Sequence, residues 1–343
     1  MKKSIFTLVM FCCALMGKAQ VTDEQSAILQ VGDEAQIFYG VDALVNAVAA
    51  APDRGGVVTL SSGTFNGATI TKCVDIYGAG WVEQKVTTTS ELPIENSILP
   101  TIIQSKIIIK IEGIDAPHNI HIEGLKFNND YQSPHIDVQS AIDGLEIVKC
   151  QLTKGFSLGK STHVTMIQCY FTGGIVNVQD LSIQNCWLAV NQIAYSSVDA
   201  PPAIIDHCFV GDGYYFYNGS SKFLCTNSIV HLGAAGRRSG STIYRNCMLV
   251  DWTDGLTGWT DNWYGVDISK VFKDGTNASY SDARTFELTD EAKATYIGSD
   301  GTEVGMNGGN FPWNKTPHTP LVKDLKLSID GTQLKVNYNA ETR

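Results

Sequence analysis

After residue 20 the sequence has no apolar run of about 18 residues, so nothing there reads as a membrane-spanning helix. It has no CxxC pair, which removes the usual zinc and dithiol-redox readings. Glycine (32 residues) follows no Gly-X-Y period and proline is scarce (10), so a collagen-like chain is excluded. Basic clusters are missing as well. Past the N-terminal segment the one basic doublet is Arg237-Arg238, and the formal charge is −10, so a nucleic-acid partner is not expected. Charged residues are only 17% against 43% hydrophobic, too apolar for general disorder and enough for a large core.

Residues 1–20 have the features of an export signal. Lys2 and Lys3 precede an apolar run from Ile5 to Met16, and Gly17-Lys18-Ala19 places small residues at −3 and −1 before Gln20. Cys12 and Cys13 follow Met10-Phe11 rather than small residues, which disfavours lipidation. The expectation is a chain secreted, or held in the periplasm or at the cell surface, and monomeric.

Seven cysteines remain after residue 20, an odd number in a long chain, which is not a disulfide framework. Their spacing is informative. Cys150, Cys169, Cys186, Cys208 and Cys247 stand 19, 17, 22 and 39 residues apart, and Ser228 divides the last interval. Flanking residues repeat with them: LEIVKCQL (145–152), VTMIQCYF (164–171), LSIQNCWL (181–188), AIIDHCFV (203–210), FLCTNSIV (223–230) and TIYRNCML (242–249). IHIEGLKF (120–127) and VDIYGAGW (74–81) are earlier versions. A period near 20 means stacked units, and β-branched residues in short apolar runs make them strands. The pattern lacks L-x-x-L-x-L, so it is not a leucine-rich repeat. Three strands and three turns per coil fit an all-β fold, a right-handed single-stranded parallel β-helix.

Each column of the repeat then has a physical role. Lys149, Gln168, Asn185, His207, Asn227 and Asn246 are expected at a turn, bonding one another and the turn backbone. The cysteines beside them are expected to face inward as small hydrophobes that do not pair. Both ends of such a coil need covering. Val41–Ala51 is an amphipathic segment stopped by Pro52, suited to an N-terminal cap helix. The expected division is a signal peptide (1–20), a β-helix domain (21–313) and a tail (314–343). Within the β-helix, the Cys/Asn ladder occupies 120–250 and a closing segment 251–313. The tail reads as a hairpin around Asp330-Gly331. Residues 82–105 read as a polar insertion and VDWTDGLTGWTDNWYG (250–265) as a loop.

FYGVDALVNAVAAAPDRGGVVTLSSGTFNGATITKCVDIYGAGW (38–81) and NIHIEGLKFNN (119–129) resemble the opening coils of the pectin-lyase-like superfamily, which includes pectate lyases and pectin methylesterases. FELTDEAKATYIGSDGTEVGMNGGNFPW (286–313) is similar to a closing segment of exported β-helix proteins of the Bacteroidetes type. The resemblance implies the fold, and a substrate groove along one outer strand face. Those strands map near 136–139, 156–158, 175–178, 192–196, 214–218 and 233–239. β-Elimination from a uronate polymer needs a cation to neutralise the carboxylate and a base for the α-proton. Arg237, Arg238 and Lys160 are the catalytic candidates, with Tyr217 a further one. Asp137, Asn177, Asp212, Tyr215 and Tyr217 are the candidates for holding a polysaccharide. No cofactor is expected. Calcium wants 6–8 oxygens, while Asp137 and Asp212 fall about four coils apart, roughly 19 Å. The Asp-Asp, GHG and RIK signatures of polygalacturonases, the GDFIFG run of methylesterases and the pectate lyase calcium and Arg motifs are all absent. His118, His121, His135, His163 and His231 show no metal spacing. Two readings stand: a protein that binds or cleaves an acidic polysaccharide on its outer face, and a non-catalytic surface or adhesion scaffold.

Overall fold

The computed structural model describes residues 25–86, 96–128, 134–195, 199–211, 223–231, 242–250, 252–253, 255, 257–275, 279–318, 321–330 and 333–341. Residues 1–20, expected to be an export signal, lie outside them. Strands dominate, wound into a parallel β-solenoid of about 8 turns.

The first sheet stacks Arg54–Leu60, Cys73–Tyr77, Ile120–Glu123, Asp143–Val148, Thr162–Ile167, Leu181–Gln184, Ala203–Asp206, Phe223–Thr226 and Thr242–Arg245 in parallel register. Alternation along each strand sends one set of side chains inward. The register makes a continuous internal column of Val58, Ile76, Ile122, Ile147, Met166, Ile183, Ile205, Cys225 and Tyr244, all fully buried. A second sheet runs from Gly63–Phe65 to Trp263–Val266 and a third from Thr69–Ile70 to Phe156–Ser157. Tyr170–Val178 and Trp187–Tyr195 bend through the corner and belong to both.

The corner between the first and second sheets explains the repeat. Lys149, Gln168, Asn185, His207, Asn227 and Asn246 all have φ between 48° and 53°. That left-handed conformation favours Asn, and glycine most of all. The corner one coil before Lys149 accordingly uses Gly124 at φ 71°, where a side chain would also strike the Gly78 carbonyl. The next residue must be small and both donate and accept. Each thiol of the column donates to the carbonyl two residues back, as Cys186 does to Gln184 at 3.1 Å, and Cys169, Cys186 and Cys208 also accept from the preceding coil, as Cys186 Sγ does from the Cys169 amide at 3.2 Å. Ser228 does the same, with 2.6 Å to the Thr226 carbonyl and 2.9 Å from the Cys208 amide. All seven cysteines are buried free thiols. Burial pushes the Cys150, Cys169 and Cys186 thiols well above the usual range, so they are chemically quiet.

The N-terminal end holds an element the sequence reading did not include. Ser26–Val31 and Glu34–Tyr39 form an antiparallel hairpin, and its first strand pairs antiparallel with Arg54–Leu60. The signal was present as alternation around Gly32-Asp33. The helix Ala43–Ala50 buries Ala43, Leu44, Ala47 and Val48 in the same core. At the other end Tyr244, Trp252 and Trp259 pack with ring centroids 4.6–5.5 Å apart, closing the last coil.

Two expected boundaries move. The insertion is shorter than 82–105, because Thr101–Ile103 is a coil strand paired with Gly63–Phe65 and Leu125–Phe127. Within 250–265, Trp263 begins a strand that pairs with Met248–Val250, so the stretch is not all loop. Leu321–Asp330 and Gln333–Glu341 form the antiparallel C-terminal hairpin.

Candidate functional site

The turn column does not bond to itself as expected. The side chains of Lys149, Gln168, Asn185, His207 and Asn227 reach outward to the segment 298–318, which runs back along the solenoid like a strap. Ser299 N donates to Asn227 Oδ1 at 2.8 Å, and His207 Nε2 lies 3.1 Å from Thr302 Oγ1. Asn185 Nδ2 donates to the carbonyls of Met306 (2.8 Å) and Gly308 (2.7 Å). Gln168 Nε2 donates to the Phe311 and Pro312 carbonyls. Successive strap residues thus meet successively earlier coils. Asp206 ends a strand and accepts from Thr226 Oγ1 (2.5 Å) and Asn227 Nδ2 (2.9 Å).

The strap and the described residues 271–275 and 279–288 before it also cover the outer face of the second sheet. The residue after each cysteine points out there, giving Tyr170, Trp187, Phe209, Ile229 and Met248 in register. Trp81, Phe272, Tyr280, Phe286 and Trp313 pack over them as a second apolar core. Arg284 lies 4.4 Å from the Phe286 ring centre and pairs with Asp274 at 3.1 Å. These aromatics are therefore structural, and none is open to a ligand.

The strap ends on a charged cluster on the outer face of the first sheet. Glu123 is fully buried and accepts from the His318 amide at 2.6 Å, with His318 Nδ1 at 2.9–3.0 Å. His121 lies between Glu123 (3.0 Å) and Glu146 (2.7 Å), stacked on Tyr77 at 4.9 Å, and its amide donates to Asp75. Burial works against the charge on His121, but hydrogen bonds to the two carboxylates outweigh it and hold the ring at about 9. Burial opposes ionisation of Glu123 too, yet the hydrogen bonds from His121 and His318 pull it down to about 2. An imidazolium with both N–H groups engaged neither gives nor takes a proton near neutrality, so the cluster is a latch. The sequence contained the signal, since His121 and Glu146 occupy the same outward position of adjacent coils.

The third sheet carries the residues expected to hold a substrate. Ile107–Ile109, Ile136–Val138 and Phe156–Ser157 stack there, followed by the second halves of the two long strands. Asp137 faces outward, one register step from Ser157, and accepts from Lys106 (3.2 Å) and Gln139 (2.9 Å). Asn177, exposed at φ 59°, donates to Ser157 Oγ at 3.3 Å. Asp137, Ser157 and Asn177 thus form one patch. Lys160 is exposed in the turn that leaves this sheet, and Lys154 is exposed in the turn that enters it. Neither lysine forms an ion pair among the described residues. Asp212, Tyr215, Tyr217, Arg237 and Arg238 lie outside the described residues, as do Tyr214 and Asp251. Among the described residues no three His, Cys, Asp or Glu side chains are grouped to hold a metal ion. No protein-family model matches the chain, and no curated protein or solved structure matches it.

Proposed function

We propose that this is an exported solenoid, pectin-lyase-like in its build, that holds an acidic polysaccharide along the outer face of the third sheet. One observation carries the reading. In the turns that enter and leave that sheet Lys154 and Lys160 are exposed and form no ion pair among the described residues, flanking the strand that carries Ser157 of the Asp137–Ser157–Asn177 patch. The strap occupies the first corner and the second sheet and not the third, whose outward register column of Ile108, Asp137, Ser157 and Val176 carries the polar patch. Coils stack ~4.8 Å apart, so a polymer lying across them meets a new side chain at each step. The chain's charge of −10 does not prevent this, because screening leaves only charges within ~10 Å to decide.

Cleavage by β-elimination is the finer part of the reading, and of its residues only Lys160 lies among the described residues. Arg237 and Arg238 would neutralise the uronate carboxylate, Tyr217 or Lys160 in its deprotonated form would take the α-proton, and the bond to the 4-oxygen would break as the double bond forms, the departing sugar oxygen taking up a proton. Tyr215 and Asp212 would hold neighbouring sugars. The alternative is a non-catalytic surface scaffold, and Asp137 favours it, because Lys106 and Gln139 already occupy its carboxylate. Incubation with pectate, alginate and other uronate polymers, with and without calcium, tests both. New ultraviolet absorbance from unsaturated ends means a lyase. Retention on a polymer gel without product means a binding protein. In either case Lys154→Ala with Lys160→Ala should weaken retention about tenfold per lost charge-assisted contact. Unchanged retention would remove the third sheet from consideration.

A further inference from the structure

The N-terminal hairpin leaves a strand edge open. Glu34–Tyr39 is the outermost member of the first sheet, paired on one side with Ser26–Val31 and on the other with no strand among the described residues. A bare edge carries a row of free amides and carbonyls, and natural sheets guard it with lysine, proline, a bulge or a covering segment. Glu34–Tyr39 has no basic residue and no proline, and its pairing with Ser26–Val31 runs unbroken. Every residue in it except Phe38 is exposed.

The edge is apolar as well. Of the ten exposed large hydrophobics among the described residues, Ile28, Val31, Ile37, Tyr39 and Val41 lie on or beside this hairpin. Ile37 stands opposite Ile28, and Tyr39 opposite Ser26, so Ile28, Ile37 and Tyr39 share the outward face. Ile37 is 50% exposed and Tyr39 61%. The neighbouring cap helix Ala43–Ala50 turns Ala43, Leu44, Ala47 and Val48 into the core and leaves Asn46, Ala49 and Ala50 exposed. Those side chains are short and uncharged, so another surface can approach this end without desolvating an ion on the helix.

We propose that, in place of the monomer expected from the sequence, the chain forms a two-fold dimer through this end, with Glu34–Tyr39 of two copies pairing antiparallel. A two-fold axis normal to a sheet keeps the outward faces together, so each residue pairs with one of its own parity. Centring the axis on Ile37 sets Ile37 against its own copy, Ala35 against Tyr39 and Gln36 against Phe38. Apolar side chains then meet on the outward face. The acids at the turn fall clear of each other, with Glu34 opposite Gly40 and Asp33 opposite Val41. Two 11-stranded sheets become one sheet across the axis, and the open amides and carbonyls of both edges find partners. A six-residue edge beside one helix face is a small interface, at the low end near about 1,200 Å², so association should be weak and follow protein concentration.

Sedimentation of the mature chain over a concentration series to about 0.3 mM tests this. The average mass should rise from one chain toward two and stop there, because pairing covers the edge of both copies. Ile37→Lys sets two ammonium groups face to face and should weaken association about tenfold or more. Ile204→Lys, at an exposed position on a late coil of the same sheet, should leave it unchanged. Circular dichroism checks that both variants fold. Cross-linking reads the register. Ile37→Cys should join two copies as the thiol pair loses two electrons to oxidised glutathione, which leaves as two thiols, since opposed Cα atoms lie about 4.5–5.5 Å apart. The seven native thiols are buried and do not compete. Tyr39→Cys should not cross-link, because its own copy lies four residues along the strand, about 14 Å away. A mass that stays at one chain or climbs past two, association unchanged by Ile37→Lys, or equal cross-linking of the two cysteine variants would overturn the proposal.

Discussion

Replacing Asn185 separates the two tasks of the corner column. Its backbone sits at φ 50°, and its buried Nδ2 donates to two strap carbonyls at 2.8 and 2.7 Å. Two buried neutral hydrogen bonds contribute about 1–3 kcal/mol net. Holding an alanine in the left-handed region costs about a further 1–2 kcal/mol, which glycine does not pay. These losses fall on different equilibria. Left-handed strain persists whether or not the strap is seated, so it affects global unfolding, whereas the hydrogen bonds also affect strap opening. Asn185→Ala and Asn185→Gly should therefore raise amide exchange across 298–313 by the same factor, roughly 5- to 150-fold. In guanidinium denaturation alanine should be the less stable variant, by about 1 kcal/mol. Exchange and mass spectrometry read the first effect, and denaturation midpoints the second. Strap protection unchanged in both variants would refute the claim that the corner column holds the strap.

Two further outcomes follow from the buried groups. Stability should peak near pH 6.5. His121, raised to about 9, stabilises fully below pH 6.5 and loses that contribution as pH rises through 9. Burial lowers His135 to about 4, so its contribution is present above pH 6.5 and lost as pH falls through 4. Glu123, at about 2, adds a loss between pH 4.5 and 2. Urea midpoints from pH 3 to 10 check the profile, and Glu123→Gln should flatten its alkaline limb; a peak that stays above pH 8 would contradict the assignment. In the thiol column, Cys186→Ser should cost under about 1 kcal/mol because Ser228 already makes the same two bonds, while Cys186→Val should cost about 1–3 kcal/mol by leaving the Gln184 carbonyl and Cys169 amide unpaired. Equal midpoints for the two would show that the column needs only small size.

The sequence by itself determined the repeat. A thiol or hydroxyl at one corner and Asn, Gln, His or Lys before it recur about every 20 residues, because each coil makes the same local turn and a local turn leaves a local pattern. From that period the strands, their stacking and the inward cysteines could all be read. Tertiary structure decided where the corner side chains go, because their partners in 298–318 lie 72 to 169 residues away and follow no repeat. It likewise showed that Trp187 and Phe209 point outward yet are buried, with Tyr170 half-buried beside them, where strand alternation alone assigns all three to solvent. The His121–Glu123–His318 latch depends on segments meeting across the solenoid. Spacing along a chain records what each coil does to itself and is silent on what a returning segment will cover.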